Sequence, residues 1–212
     1  MSPRTARQFH DIREEKKTLI MEVGLQHFAA NGFHATTISH LAKHAGISKG
    51  LMYHYFTGKD ELLTAIIQQS VNEVNSYLDM DRDGRLNEEE FVFFIRRLSV
   101  ILKEKRSFWM LFFQLLLQNE VRDKLKSVIS MDPGRIKSMT ASGDSMFLTG
   151  ILKLILDYFI QKTEARGPLF DPYLEFNLFI VAMKGFVINY IYRENEDEYY
   201  EKTLEAIIVR FK

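Results

Sequence analysis

Four carboxylates stand at fixed intervals in DMDRDGRLNEEEF, residues 79–91: Asp79, Asp81, Asp83 and Glu90. A calcium-binding loop needs hard oxygen ligands at positions one, three, five and twelve, a glycine at six for the sharp turn, and a backbone carbonyl at seven. Gly84 stands at six, Arg85 supplies the carbonyl at seven, Leu86 is the apolar residue at eight, and Asn87 at nine can ligate directly or through water. The spacing therefore predicts Ca2+ held by Asp79, Asp81, Asp83, the Arg85 carbonyl and Glu90, and no other cofactor is expected. A plainer reading covers part of the same stretch. Asn87 and Glu90 form a capping pair for the outgoing helix, acidic residues favour a helix N-terminus, and Asp83-Gly84 is a common turn. That reading leaves Asp79 and Asp81 unexplained, while the calcium reading must accept Arg82 and Arg85 inside the loop and no second loop to pair with.

HLAKH sets His40 and His44 four apart on one helical face, a metal-ligand interval. No carboxylate ligand accompanies them, which favours plain surface imidazoles. The chain has no cysteine, so it can have no thiol nucleophile, cysteine zinc site or disulfide framework. It also shows no nucleophile–base pair, phosphate loop or catalytic metal motif, and an enzyme is not expected.

The elements that must position these groups are helical, since apolar residues recur at three and four with no alternating strand. The first helix closes at Asn31-Gly32; Thr36-Thr37 offers a cap for ISHLAKHA, Gly46 ends it, and Ser48 can cap KGLMYHYF. A long amphipathic helix runs from about Asp60 to Leu78, and after the acidic loop another starts near Glu88. Further helices are expected over 108–118, 120–130, 145–162, 172–193 and 196–211. Turns fall at Asp132-Pro133-Gly134, Ser142-Gly143-Asp144, Gly167-Pro168 and Asp171-Pro172. The expected architecture is all-α: a three-helix head over residues 12–72, then a larger helical bundle over 73–212.

Net charge is zero, yet residues 1–60 hold eight Lys/Arg against five Asp/Glu, and all six histidines precede residue 55. That asymmetry suits a nucleic-acid-binding head on a body with another task. The start, MSPRTARQFHDIREEKK, is polar and basic, unlike a signal peptide. The apolar run 176–192 carries Asn177, Lys184 and Asn189, which argues for a buried or interfacial helix rather than a bilayer span. A soluble, cytoplasmic protein without membrane partners is expected.

Two short helices around a tight glycine turn make a helix-turn-helix, whose second helix enters the DNA major groove. That helix would present Lys49, Leu51, Tyr53, His54 and Tyr55 around a small Gly50; the alternative makes the tyrosines core and Lys49 solvated surface. TTISHLAKHAGISKGLMYHYFTGKDELLTA, residues 36–65, resembles the DNA-binding domain of TetR/AcrR-family bacterial transcriptional regulators. The likeness rests on the Thr pair, Leu41-Ala42, Ala45-Gly46, Ser48-Lys49-Gly50, Tyr53-x-Tyr55-Phe56, Lys59 and Leu62, and continues back through FAANGFHATT to about residue 12. It implies phosphate contacts from Thr37, Tyr55 and Lys59, and groove contacts from Ser48, Lys49, Gly50, Leu51, Tyr53 and His54. Phe56, Ile38, Leu41 and Ala42 fall to the core of the head, and Arg4 and Arg7 to a solvated arm.

The resemblance further implies a dimeric regulator, usually a repressor, that binds a palindromic operator in double-stranded DNA. Its body would bind a small apolar effector and form a homodimer through the last two helices, with Gly185 permitting close approach. Phe93, Phe94, Trp109, Phe112, Phe113, Phe147, Tyr158 and Phe159 are pocket candidates, although aromatic stripes at helical spacing are more often plain core. A calcium-binding sensor using the loop at 79–90 is the alternative function. The operator, regulated genes, effector and sign of regulation are not encoded in any readable pattern.

Overall fold

The structure is a computed structural model describing residues 6–78, 80–81, 83–124, 147–192 and 197–212. Among the described residues eleven helices and no strand are found. They are α1 (Ala6–Asn31), α2 (Ile38–His44), α3 (Lys49–Tyr55), α4 (Lys59–Asn75), α5 (Glu88–Glu104) and α6 (Arg106–Leu117), followed by α7 (Asn119–Lys124), α8 (Phe147–Gln161), α9 (Thr163–Arg166), α10 (Pro172–Tyr192) and α11 (Asp197–Phe211).

Two boundaries differ from expectation for local reasons. Helix α1 begins at Ala6 and takes Arg7 into its first turn, because no Gly or Pro interrupts residues 6–23; Arg4 lies outside the described residues. Helix α4 stops at Asn75 and tightens into i→i+3 bonds, with the Tyr77 amide on the Val74 carbonyl at 3.3 Å and the Leu78 amide on the Asn75 carbonyl at 3.2 Å. Helix α7 is described only to Lys124, and the remainder of the expected 120–130 helix, with the turns at 132–134 and 142–144, lies outside the described residues.

Contacts divide the chain into two units, Met1–Ser70 with Leu111–Lys124, and Val71–Met110 with Leu125–Lys212. The segment 111–124, which the sequence assigns to the body, thus groups with the head. Phe112, Leu115 and Val121 are buried there, as are Ile20, Phe28, Leu41, Met52, Phe56 and Leu62. Helix α1 meets α4 across Gly24, where an added Cβ would lie 2.9 Å from Leu62 Cδ2. Only a residue without a side chain allows that approach.

In the second unit α10 packs against α5, α8 and α11, and α5 also packs against α11. Its core is aromatic: Phe91 stacks on Tyr158 with centroids 4.2 Å apart, and Phe159, Phe179 and Phe211 close around them edge-on or tilted. Arg96 grips Glu205 with two parallel bonds, Nε to Oε1 at 3.1 Å and Nη2 to Oε2 at 3.0 Å, joining α5 to α11. Helix α10 is long and apolar enough to cross a bilayer by length and composition alone. Its Phe176, Phe179, Met183, Phe186 and Ile191 are nevertheless buried against neighbouring helices, as in a core helix.

Candidate nucleic-acid interface

The helix-turn-helix is built from local polar signals. Thr37, extended at φ −113°, is the cap of α2, its hydroxyl accepting from the His40 amide at 3.2 Å. Ser48 does the same for α3, accepting from the Leu51 amide at 3.1 Å. Between them Gly46 adopts φ +64°, a left-handed conformation that residues with a Cβ rarely take, and it lets the Ile47 amide return to the Ala42 carbonyl at 3.0 Å. The start of each helix and the corner between them therefore follow from two hydroxyls and one glycine.

Met52 and Phe56 anchor α3 in the core, both at most 2% exposed. Its outer face carries Lys49, Gly50, Leu51, Tyr53 and His54, all exposed, with Tyr55 half-buried. Tyr53 is 47% exposed, so the core role weighed for it falls to Met52 instead. The Lys49 ammonium lies 5.9 Å from the Tyr53 ring centroid, and the His54 ring meets Tyr55 edge-on. Thr37 is exposed at the start of α2, and Ile38 is only half-buried.

Lys59 has a structural task beside the one the resemblance implies. Its ammonium sits on the carbonyls of Phe33 and His34, both at 2.9 Å, and near that of Thr36 at 3.5 Å. It also lies 4.7 Å from the Phe33 ring centroid. Two of its three N–H groups are taken by these short bonds, and the ammonium thereby ties the start of α4 to the α1–α2 turn. The buried Thr36 hydroxyl joins that network by donating to the Gly32 carbonyl at 2.8 Å. The Lys59 tie is not readable from sequence, because its partners lie 23 to 26 residues back and their approach depends on the tertiary fold.

His40 and His44 do not form a ligand pair. The His44 Nδ1 is 2.8 Å from the His40 carbonyl, and its ring packs against His27 at 4.2 Å between centroids. Burial lowers the His27 pKa from its ordinary value, and the charges of His44 and His40 add to the effect. Among the described residues no group of three or more His, Cys, Asp or Glu side chains is arranged to hold a metal.

In the acidic loop, Asp79 and Arg82 lie outside the described residues. Asp81 and Asp83 each accept a bond from the amide two residues on, at 3.1 and 2.8 Å, and Gly84 is left-handed at φ +76°. Glu90 is 5% exposed, and its two oxygens accept from the Met80 and Asn87 amides, both at 3.2 Å. With the Asn87 side chain accepting from the Glu90 amide at 2.9 Å, this is a complete capping box for α5. The Glu90 carboxylate is thus engaged with backbone amides of the loop, and Leu86 is buried beneath it.

The pocket candidates are not brought into one unit. Phe94, Trp109, Tyr158 and Phe159 are buried in the second unit, whereas Phe112 and half-buried Phe113 belong to the first. Phe93 is exposed, and the Phe147 side chain lies outside those described. Phe91 and Phe179, not singled out from sequence, are more central to the aromatic cluster. The Tyr158 hydroxyl is buried without a hydrogen-bond partner among the described residues, and burial, followed by the charge of Glu88, pushes it above its ordinary range. The Lys162 ammonium lies 4.5 Å from the Tyr158 ring centroid, and burial lowers its pKa.

A second apolar face runs along α10. Leu174, Leu178, Val181, Ile188 and Tyr192 are exposed at intervals of three, four and seven, with exposed Gly185 in the same row. A Cβ at Gly185 would meet no atom of this chain within 4 Å. On α11, Tyr199 and Val209 are 58% and 65% exposed.

Residues 20–66 match the family model described as bacterial regulatory proteins, tetR family. An uncharacterized HTH-type transcriptional regulator, YuxN of Bacillus subtilis, is 41% identical over 54 residues, which are 26% of this chain and 19% of that protein. The fatty acid metabolism regulator protein of Bacillus subtilis is 26% identical over 69 residues, 32% of this chain and 36% of that protein. The matched stretches thus span well under two thirds of these relatives. The solved fatty acid degradation regulator FadR from Bacillus halodurans shares the fold at TM-score 0.62 and 19% identity, covering 91% of this chain and 94% of that one.

Proposed function

We propose that this chain, whose residues 20–66 match the tetR family model, is a DNA-binding transcriptional regulator of that family acting as a dimeric, effector-modulated repressor. The observation that carries the reading is the outer face of α3. Lys49, Leu51, Tyr53 and His54 are exposed together on a capped helix whose inner face is anchored by Met52 and Phe56. A cation, an apolar side chain and two hydrogen-bonding rings can meet phosphate, thymine methyl and base edges at once. Thr37 and Tyr55 supply flanking phosphate contacts, and Ser48 and Gly50 let the start of α3 approach the groove.

Dimerisation is supported by the exposed row on α10 from Leu174 to Tyr192, continued by Tyr199 and Val209 on α11. A helix apolar on both faces wants a second partner, and two copies would supply the recognition helices that a palindrome needs about 34–36 Å apart. The effector would be a small apolar molecule held in the aromatic body. A cytoplasmic location and no enzymatic activity go with this role.

Footprinting of the purified protein on the DNA upstream of its own coding sequence should reveal a protected palindrome. A uniformly unprotected fragment set would sink the regulator reading. As a local addition, the sequence spacing of Asp79, Asp81, Asp83 and Glu90 is the ground for a Ca2+ ion in the loop. Calcium should then raise the melting temperature, and Glu90→Gln should abolish the rise; an absent rise in the unmutated protein removes the ion.

A further inference from the structure

Gln118 stands at the corner between α6 and α7, far in sequence from both of its side-chain partners. Its Nε2 donates to the Phe28 carbonyl at 2.6 Å, and its Oε1 accepts from the Phe33 amide at 2.9 Å. One planar amide thus bridges the last turn of α1 to the first residue after Gly32. No apolar side chain of the same length can both donate and accept there.

The other polar groups of this turn are also taken. The Lys59 ammonium holds the carbonyls of Phe33 and His34, and the Thr36 hydroxyl holds that of Gly32. Phe33 is buried with its ring 5.0 Å from that of Phe28, so the turn is packed as well as bonded. Thr37 follows at once as the cap of α2, which packs on α3. The position of the turn therefore sets where α2 starts and, through the Gly46 corner, where α3 points.

We propose that Gln118 is a positioning residue for DNA recognition: its amide latches the α1–α2 turn to the α6–α7 corner and holds the recognition helix at its binding angle. The inference rests on the DNA-binding reading of the head. It assigns a determinant of affinity outside the residues that meet DNA, on a segment the sequence places in the body. The exposed pair of His34 Nδ1 and Glu120 Oε1, 3.3 Å apart, lies beside the latch but is too solvated to replace it.

The test uses the full chain, with Gln118→Leu and Gln118→Glu, and a duplex selected by the unmutated protein from a randomised library. Affinity is measured on the active fraction, obtained from a stoichiometric titration, so that unfolding is not counted as weak binding. Gln118→Leu should raise Kd about tenfold with the salt slope unchanged, because hydrogen bonds within the protein are lost and no phosphate contact is. Exchange of the Phe33 amide should accelerate by about as much, while the amides of α10 and α11 keep theirs. Gln118→Glu has the shape of the amide but donates only when protonated. Its Kd relative to the unmutated protein should be largest above pH ~6, where the carboxylate is ionised, and fall toward parity only as pH drops to about 4.3 and below. A Kd within about twofold of the unmutated value for both variants overturns the proposal, whatever the melting temperatures do. Unchanged exchange at Phe33 sinks the latch alone, whereas failure to select any duplex sinks the DNA-binding reading beneath it.

Discussion

The head and the aromatic body solve the same problem, a unique helical arrangement, with different materials. In the head, the turn between α1 and α2 is closed by Thr36, Lys59 and Gln118, each placing a donor or acceptor on named backbone groups. In the body, rings do the work: Phe91, Tyr158, Phe159, Phe179 and Phe211 interlock, and the Tyr158 hydroxyl stays buried without a partner among the described residues. Directional bonds specify an angle, whereas packed rings specify mainly a volume. A surface that must meet DNA in one orientation needs the first kind of constraint. A cluster of interlocking rings can be held by the second and still tolerate one unpaired oxygen.

The largest test of that contrast is at Lys59. Lys59→Met keeps the aliphatic stem but leaves the Phe33 and His34 carbonyls without their charged donor, and should cost about 2 kcal/mol of stability. The salt slope of DNA binding should be unchanged. Lys49→Ala should do the opposite, changing which duplex is preferred and reducing the slope by at most about one with little loss of stability, as expected of an exposed cation on the outer face of α3. Equal losses of slope in the two variants would return Lys59 to the phosphate and dissolve the distinction drawn here.

Tyr158→Phe tests the body's side of the comparison. Removing an oxygen that is buried without a partner should stabilise the protein by about 1 kcal/mol and raise its melting temperature by about 2–4 °C. A lower melting temperature would mean that the hydroxyl is satisfied after all, and that the body is held as directionally as the head.

What the sequence disclosed follows the same division. Thr37, Gly46 and Ser48 were legible because a cap or a left-handed turn is decided within three or four residues. Asn87 and Glu90 were legible for the same reason, and the structure realises their pairing as a capping box. The Lys59 ties reach back 23 to 26 residues and the Gln118 ties 85 to 90, so no local pattern announces them. Grouping of 111–124 with the head is hidden likewise: RSFWMLFFQLLL is apolar on most sides, and periodicity alone cannot say which unit buries Phe112 and Leu115. The aromatic cluster was anticipated in Tyr158 and Phe159 but not in Phe91, Phe179 and Phe211, since Phe91 differs from exposed Phe93 only in where the fold turns it.

The two capped helices offer a matched pair of substitutions. Thr37→Ala in the head and Asn87→Ala in the body each remove an oxygen that accepts from a first-turn amide, and each should cost about 1 kcal/mol. Only Thr37→Ala should also weaken DNA binding, because that cap is exposed beside the recognition helix. Should both variants weaken DNA equally, the effect is general loosening rather than a contact at Thr37.

The smallest effect is a pH dependence confined to the head. The His27 Nδ1 lies 3.1 Å from the Asn31 side-chain nitrogen, which donates to its lone pair, and protonation would end that bond. Burial, then His44 and His40 across the α1–α2 packing, lowers its pKa below the ordinary imidazole value. The unfolded chain therefore takes up a proton at higher pH than the folded one. The stabilising contribution is fully present above the unfolded pKa and is lost as pH falls through the folded one. Urea midpoints measured from about pH 8 to about pH 5 should decline, and His27→Gln, which cannot take up the proton, should decline less. Parallel declines in the two proteins would show that His27 takes up its proton at the same pH in the folded and unfolded chain, and that the three-imidazole contact carries no pH sensitivity.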